Sequence, residues 1–244
     1  MKILVAGDVH GNAHFMQYLV KNASKNSCDR ILQVGDFGIW PGPSGVNFLD
    51  DTQRMLDDNG LTLDFIGGNH EDYDELNARV EANDLDIRSN IHYIPNGTRW
   101  EYDGVRFGGI GGAFSVDYMW RTPGQSWWPH AEEAHEEDAD RLGEFPLDVF
   151  ICHDTPYPAT ELAHFRVEKT IDARCEPTRD VLRRAILTTN PKIVLHGHWH
   201  KRSSYTWHNI RIEALACDLD HNGNAWGILD TSDLSFRDGY NVRN

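Results

Sequence analysis

Five polar segments, each placed directly after a run of apolar residues, constrain this chain more than any other feature. The segments are Asp8-Val9-His10, Gly35-Asp36, Gly68-Asn69-His70-Glu71, Cys152-His153-Asp154 and His196-Gly197-His198-Trp199-His200. The preceding runs, such as Ile3-Leu4-Val5 and Ile193-Val194-Leu195, are rich in β-prone residues and predict strands. Because ligands bind beyond the carboxyl ends of buried strands, we expect the five segments to meet at one edge of the fold.

The alternation of strand-like and helix-like segments predicts an α/β fold. The helix-like segments of the first 95 residues are Ala13–Ala23, Val46–Asp58 and Asp74–Ala82. Short strands between Ile91 and Gly112, separated by Asn96-Gly97 and Asp103-Gly104, predict a second and more antiparallel sheet. The strand-like runs between Ser203 and Leu229 would complete that second sheet. With no repeat or linker in the sequence, residues 1–244 are predicted to form a single domain.

Three further segments carry local predictions. Glu132–Asp138 mixes small and acidic residues and is typical of a solvated helix face. Pro177–Thr189 predicts a helix that begins with its proline in the first turn. Residues 113–129 contain several aromatic residues and two prolines, fit neither the helix nor the strand period, and predict a surface excursion near the site.

Bulk composition excludes several classes of protein. Since no apolar run approaches the roughly 18 residues needed to span a bilayer, and no signal-peptide pattern is present, we expect a cytoplasmic protein without a membrane partner. The four cysteines form no CxxC pair, so neither a zinc ribbon nor a disulfide framework is expected. A net charge of −15 opposes stable binding of long nucleic acids. Oligomeric state is left open.

The first two segments offer ligands for a pair of divalent cations, which lie roughly 3.5–4 Å apart in two-metal sites. Asp8 and His10 are two residues apart on an extended segment and face the same side. Asp36 follows a glycine at the next strand end and is the best candidate to bridge both ions. Taken alone, each of these short segments is also common as a helix cap or a turn.

The later segments complete the ligand set. His198 and His200 are again two residues apart and can serve different ions of the pair. Asn69 offers a neutral carbonyl oxygen, and His153 offers an imidazole. The sequence therefore predicts two divalent ions, for which Mn²⁺ is the first choice and Fe²⁺, Zn²⁺ or Ni²⁺ remain open.

In this order, the motifs D-x-H, G-D, G-N-H-E, a later H and G-H-x-H resemble those of the calcineurin-like metallophosphoesterases, over residues 8 to 200. The resemblance implies a four-layer αββα sandwich of two mixed β-sheets with a dinuclear centre. It implies a first metal held by four residues: Asp8, His10, Asp36 and His200. It implies a second metal held by Asp36, Asn69, His153 and His198.

The resemblance also implies a catalytic role for His70, which would protonate the leaving oxygen or stabilise the phosphoryl group. Glu71 or Asp72 could orient its ring, and Glu71 could equally begin a helix. The Asp-Arg-Gly sequence of the Ser/Thr protein phosphatases is absent after Gly35-Asp36, so the chain looks more like the small bacterial and phage phosphoesterases.

We expect a phosphodiesterase that uses a metal-bridging hydroxide on a small or nucleotide-type substrate. Asn12 and Arg121 are further candidates for substrate binding, and the tryptophans near Arg121 could form a rim that stacks a base or a small aromatic core. The alternatives are a phosphomonoesterase or a nuclease. Two alternatives belong to other functional classes. One is a non-catalytic scaffold, and the other is a mononuclear metal-binding or redox protein.

Overall fold

The computed structural model describes residues 1–157 and 167–240. Its helices are α1 Ala13–Lys25, α2 Pro43–Asn59, α3 Tyr73–Ala82, α4 Glu136–Leu142 and α5 Lys169–Thr189. Its first strands are β1 Lys2–Ala6, β2 Arg30–Gln33, β3 Thr62–Phe65, β4 Asp86–Arg88, β5 Ile91–Tyr93, β6 Thr98–Tyr102 and β7 Val105–Ile110. The later strands are β8 Val149–Cys152, β9 Ile193–His196, β10 Ser203–Trp207, β11 Ile210–Ala214, β12 Trp226–Asp230 and β13 Phe236–Asp238.

These strands form two mixed sheets. The first has the order β13-β12-β1-β2-β3-β5-β4, and the second has the order β10-β11-β9-β8-β7-β6. The inner faces of both sheets pack on each other through apolar side chains such as Val5 and Leu32 from the first sheet and Ile151 and Leu195 from the second. Because central strands such as β1 and β8 are covered on both faces, their apolar runs are nearly continuous.

Helices cover the outer face of each sheet. Phe15 of α1 and Leu56 of α2 belong to the core on the outer side of the first sheet. Leu142 of α4 and Leu182 of α5 belong to the corresponding core on the second sheet. The predicted α/β fold with two mixed sheets flanked by helices is therefore confirmed.

The assignment of strands to sheets was wrong in two places. β5 belongs to the first sheet, where Ile91 lies opposite Leu63 in a parallel pair. β12 also joins the first sheet, antiparallel to β1, so that Trp226 lies opposite Ala6. The second sheet is also less antiparallel than expected, since β7, β8, β9 and β11 run parallel. An apolar pattern shows which face is buried but not which strand lies beside it.

The helix expected at Pro177 begins eight residues earlier, at Lys169, so Pro177 lies inside α5. An interior proline removes one helical hydrogen bond, and tertiary contacts offset that cost here. Cys175, before the proline, is buried against Phe114 and Trp199. Arg179, after it, pairs with Asp172 across the proline at 2.7 Å. Sequence alone does not reveal these contacts.

The prediction of a solvated helix face over Glu132–Asp138 was correct only in part, since Glu136 and Glu137 are exposed on α4 but Glu132 and Asp138 are buried. Helix α4 begins only at Glu136. Glu132 is 1% exposed and accepts hydrogen bonds from the Ser115 hydroxyl and the Trp128 amide. Asp138 is 6% exposed and accepts from the backbone N–H of His135 at the start of the helix. Buried partners, rather than solvent, therefore hold these two carboxylates.

All four cysteines are free and buried. Within residues 1–157 and 167–240, no helix combines the length and the apolar composition required to cross a membrane.

Candidate metal centre

The five polar segments meet where the two sheets end side by side. Asp8 and Asp36 follow β1 and β2 of the first sheet, and His153 and His198 follow β8 and β9 of the second. Three groups of side chains there have ligand atoms within 4.8 Å of one another: Asp8, His10 and His200; His10, Asp36 and His70; Asp36, His153 and His198. The sharing of His10 and Asp36 between groups joins them into one cluster.

Asp36 lies at the middle of this cluster and is 1% exposed. Its Oδ2 atom is 3.5 Å from Nε2 of His10 and 3.3 Å from Nε2 of His153. The other carboxylate oxygen accepts a hydrogen bond from the backbone N–H of His70 at 2.9 Å. One carboxylate thus faces the imidazoles of both expected metal positions, as a bridging ligand must.

Asp8 lies at the first of these expected positions. Its Oδ2 atom is 3.0 Å from Nε2 of His200. The backbone N–H of His198 also donates to this carboxylate, at 3.1 Å to Oδ1. The carboxylate therefore couples the end of β1 to the segment after β9, which lies in the other sheet.

Hydrogen bonds fix the orientation of two imidazoles. Nδ1 of His153 donates to the carbonyl oxygen of Val34 at 2.9 Å, and Nδ1 of His10 lies 2.9 Å from Oδ1 of Asp218. When Nδ1 carries the proton, the lone pair of Nε2 is free to bind a metal. Both Nε2 atoms point towards Asp36, in the arrangement expected of metal ligands.

Two buried atoms at the second position fit a metal. Nε2 of His198 is buried and has no hydrogen-bond partner in the described part of the chain. Oδ1 of Asn69 lies 3.2 Å from Nε2 of His153. A buried imidazole nitrogen without a partner is costly in a native protein, and a metal ligated by imidazole and oxygen donors removes that cost. The donor set present here therefore fits a divalent transition metal.

Within the cluster, the histidines balance the carboxylates electrostatically. Burial lowers the pKa of His10, but hydrogen bonds with Asp218 and Asp36 outweigh it and raise this pKa to about 11. Burial also lowers the pKa of His153, but Asp36 outweighs it and raises this pKa to about 9. In the same way, Asp8 outweighs burial at His200 and raises its pKa to about 10. Despite burial, the histidines His153 and His70 hold the pKa of Asp36 well below its usual range.

The backbone at the cluster is strained. His10, Asp36, His198 and His200 all have positive φ, between 49° and 67°. Left-handed backbone costs a residue with a side chain about 1–2 kcal/mol, and such residues concentrate at functional sites. Four such residues among seven expected ligands indicate that the loops are shaped to aim side chains rather than to minimise their own energy.

Glycine permits the close approach of two segments. A Cβ atom on Gly197 would collide with Oδ1 of Asp8, and one on Gly35 would collide with the ring of His153. Gly35 also has φ of 102°. Any larger residue at either position would push a carboxylate or an imidazole out of the cluster.

His70 lies at the edge of the cluster, with its side chain 32% exposed. Its Nε2 atom is 3.9 Å from Oδ2 of Asp36 and accepts a hydrogen bond from the guanidinium of Arg121. Burial and Arg121 lower the pKa of His70 against the opposing effect of Asp36. The pKa of His70 is therefore shifted below its ordinary value, whereas those of His10, His153 and His200 are shifted above theirs.

The expectation that Glu71 or Asp72 orients the His70 ring was wrong. Glu71 is fully buried, and its carboxylate accepts from the backbone N–H groups of Phe37 and Gly68, at 2.6 and 2.5 Å. Asp72 is the N-cap of α3. Each carboxylate thus satisfies backbone donors, and the nearest charged partner of the His70 ring is Arg121.

Arg121 is held in place by several contacts. Its Nε atom pairs with Oδ1 of Asp117 at 2.7 Å, and its Nη1 atom donates to the carbonyl oxygen of Asn69 at 2.8 Å. The side chain is 5% exposed. The site thus contains an arginine, and it lies 85 residues after Asp36 in sequence.

A cleft of about 440 Å³ opens over the cluster. Its floor includes Asp36, Asn69, His70, His198 and His200, and its walls include Val116, Asp117, Met119, Trp120, Arg121, Val167, Glu168 and Ile171. Trp120 is 89% exposed and Met119 is 74% exposed. A polar floor therefore lies beside a wall with exposed apolar side chains.

Residues 113–129 are only in part a surface excursion. Phe114 and Trp128 are buried, whereas Trp120 lies on the short 3-10 helix Tyr118–Trp120 and faces solvent. Trp127 packs against Tyr118 at 5.4 Å between ring centroids. Both expected arrangements are therefore present, an aromatic core beneath and an exposed tryptophan at the cleft.

Sequence reasoning missed Asp218, which binds both His10 and Asn12. The Asn12 amide donates to Oδ2 of Asp218 at 2.8 Å, while its oxygen accepts from Phe15 N–H as the N-cap of α1. The expected substrate-binding residue Asn12 thus has both polar atoms engaged within the protein. A signal for Asp218 was available, since it follows β11 just as the five segments follow their strands.

The fold and this cluster define the chain as a metallohydrolase-like α/β protein, and comparison with known proteins gives its family. The model of the calcineurin-like phosphoesterases matches residues 1–202. Because this match covers more than half of the chain, the protein belongs to the calcineurin-like phosphoesterase family.

Solved structures share the fold at low identity. The protein TT1561 of Thermus thermophilus is 18% identical, with 99% of each chain covered and a TM-score of 0.63. An archaeal phosphodiesterase is 14% identical, with 98% of each chain covered and a TM-score of 0.50. A dimetal phosphatase from Danio rerio is 10% identical, with 93% of this chain and 91% of that chain covered and a TM-score of 0.55. No curated protein matches.

Proposed function

We propose that this protein is a dinuclear phosphodiesterase that acts on small or nucleotide-type phosphodiesters, with Mn²⁺ as its metal. Asp8, His10, Asp36 and His200 would hold the first ion, and Asp36, Asn69, His153 and His198 the second. The observation that carries the proposal is the position of Asp36 between the imidazoles of His10 and His153, at 3.5 and 3.3 Å. When bound, two such ions lower the pKa of a water molecule and neutralise charge on phosphoryl oxygens.

His70 and Arg121 would act on the substrate from the open side of the cluster. Arg121 donates a hydrogen bond to Nε2 of His70 in this structure. If a phosphoryl oxygen accepted from the guanidinium instead, Nε2 of His70 would lose this donor and become free. The same negative charge would raise the pKa of His70 and favour its protonated form. His70 would then hold a proton for the departing oxygen, and Arg121 would bind a non-bridging oxygen.

The carboxylates on the wall of the cleft are the reason to propose a diester rather than a monoester. Asp117 and Glu168 lie on this wall with Arg121, and Asp117 already pairs with that arginine. A phosphomonoester carries about one more negative charge than a diester and is repelled more strongly by these groups. The exposed indole of Trp120 offers a stacking surface for a base or another planar substituent.

The test begins with protein that has been stripped by chelator and reloaded with Mn²⁺. Hydrolysis of a chromogenic phosphodiester is compared with that of the matching monoester, in the wild type and in Asp36→Asn. Asp58→Asn, on the exposed face of α2, is the matched control and should behave as the wild type. We expect Mn²⁺-dependent diester hydrolysis that falls more than about 100-fold in Asp36→Asn.

Other outcomes would change the proposal in defined ways. A preference for the monoester would keep the metal chemistry but replace the substrate class. Cleavage of a single-stranded oligonucleotide in preference to the small diester would favour the nuclease alternative. Mn²⁺ binding without hydrolysis of any of these esters would contradict an enzymatic function.

A further inference from the structure

A chain of buried hydrogen bonds links the segment after β7 to the second metal position. Glu132 accepts from the Ser115 hydroxyl through Oε1 and from the Trp128 N–H through Oε2, the latter at 3.1 Å. The Ser115 hydroxyl oxygen in turn accepts from Nδ2 of Asn69 at 3.2 Å. Glu132, Ser115 and Asn69 are 1%, 0% and 2% exposed. Solvent therefore does not compete for these groups.

We propose that Ser115 and Glu132 are positioning residues that orient the side-chain amide of Asn69 towards a metal, an inference that rests on the proposed function. When ionised, the Glu132 carboxylate only accepts, so it takes the single hydroxyl proton of Ser115. Burial raises the pKa of Glu132 to about 7, so this arrangement holds above that pH, and the binding experiment below is run at pH 8. The lone pairs of Ser115 then face Asn69, which must present its N–H₂ group to them. Oδ1 of Asn69 is left facing the cluster, 3.2 Å from Nε2 of His153.

The orientation matters because an amide has one oxygen and one nitrogen at similar positions. Rotation of the Asn69 amide by half a turn would place N–H donors against the ion, where they cannot act as ligands. The amide is attached by a rotatable bond, and its backbone carbonyl is engaged separately by Arg121. The direction of the amide is therefore set by Ser115, and the direction of the Ser115 hydroxyl is set by Glu132.

The experiment measures Mn²⁺ binding to the full chain by equilibrium dialysis, without substrate, and monitors folding by thermal unfolding. We expect the wild type to bind two ions and Ser115→Ala to bind one of them about 10- to 100-fold more weakly, as is usual for loss of a group that orients a ligand. Affinity for the other ion should stay the same. Ser126→Ala, which removes an exposed hydroxyl from the same segment, is the matched control and should bind as the wild type.

A double-mutant cycle separates positioning from a general structural effect. If Ser115 acts through Asn69, Ser115→Ala should cause no further loss of Mn²⁺ affinity in a protein that already carries Asn69→Ala. Glu132→Gln, which keeps the shape of the side chain but places a donor against either Ser115 or Trp128, should weaken the same ion as Ser115→Ala does.

Equal weakening of both ions by Ser115→Ala, an unchanged affinity, or an undiminished effect in the Asn69→Ala background would overturn the inference while leaving the proposed function intact. A wild type that binds fewer than two Mn²⁺ ions would overturn the dinuclear site itself.

Discussion

The metal cluster and the cleft wall beside it are built in opposite ways. Asp8, Asp36 and His153 of the cluster are at most 1% exposed, and each follows a strand. The wall is formed around the 3-10 helix Tyr118–Trp120, where the side chains of Met119 and Trp120 are mostly exposed. The cluster is thus fixed by the two sheets, whereas this part of the wall is a loop whose exposed side chains can change without disturbing the sheets.

Under the proposed function, this difference separates the residues that would carry out the reaction from those that would select the substrate. The groups that can hold metals belong to the rigid part of the fold, where strained backbone at His10, Asp36 and His198 is supported by both sheets. Under the proposed function, the groups that would meet the rest of the substrate belong to the wall. Arg121 lies at the boundary, because it is buried like the cluster but is supplied by the wall segment.

The largest expected effect is a pH dependence of the Mn²⁺ affinity. It should come from the histidines of the cluster and not from the cleft wall. The pKa values of His10, His153 and His200 are raised to about 11, 9 and 10, above an unfolded value near 6.5. Mn²⁺ binds only neutral imidazole, so its affinity should rise with pH by about tenfold per unit for each proton displaced. Titrations of Mn²⁺ at several pH values between about 6 and 8 measure this slope, and a flat profile would contradict it.

The same histidines set the stability of the metal-free protein. Their protonated forms are favoured in the folded state, so this stabilisation is complete below about pH 6.5 and is lost as pH rises through about 9 to 11. Unfolding by denaturant in the presence of chelator should therefore show a free energy of unfolding that decreases with pH over this range.

The next effect concerns His70. His70→Ala should reduce kcat by about 10² to 10⁴ while both Mn²⁺ ions remain bound, since His70 is not among the expected ligands. If His70 donates a proton, the loss should be greater for an alkyl leaving group than for a chromogenic aryl one. Loss of a metal from this variant would make His70 a ligand instead.

A smaller effect is expected for Arg121. Arg121→Met removes a charge-assisted hydrogen bond worth about 1.5–3 kcal/mol, so diester kcat/KM should fall by about 10- to 150-fold without a change in Mn²⁺ affinity. Arg54→Met, at an exposed ion pair on α2, serves as the control. An Arg121→Met variant with wild-type kinetics would place the arginine in a purely structural role.

The smallest effect should come from the exposed wall. Trp120→Ala should raise the KM of a nucleotide-type diester by about fivefold, since stacking of a base on an aromatic ring contributes about 1 kcal/mol or more. The KM of a small alkyl diester should stay nearly unchanged. Phe145→Ala, which removes another exposed aromatic ring away from the cleft, controls for surface effects. Equal changes for both esters would argue against stacking.

Much of the ligand set was accessible from sequence because strand ends are local features. Asp8, His10 and Asp36 each follow an apolar run, and the His-Gly-His-x-His segment needs no partner to be noticed. Ser115 and Glu132 were missed because their role exists only through contacts 17 and 46 residues away in sequence. A buried glutamate inside an acidic stretch has no local signal that distinguishes it from a solvated one.

By itself, the sequence determined that this is an α/β chain with candidate metal-ligating residues after its strands, because hydrophobic periodicity and residue chemistry are local properties. Only the tertiary structure decided that β5 and β12 join the first sheet and that α5 continues through Pro177. It also decided that Arg121 reaches His70. These outcomes depend on which surfaces pack together, and packing between distant segments is a property of the whole fold.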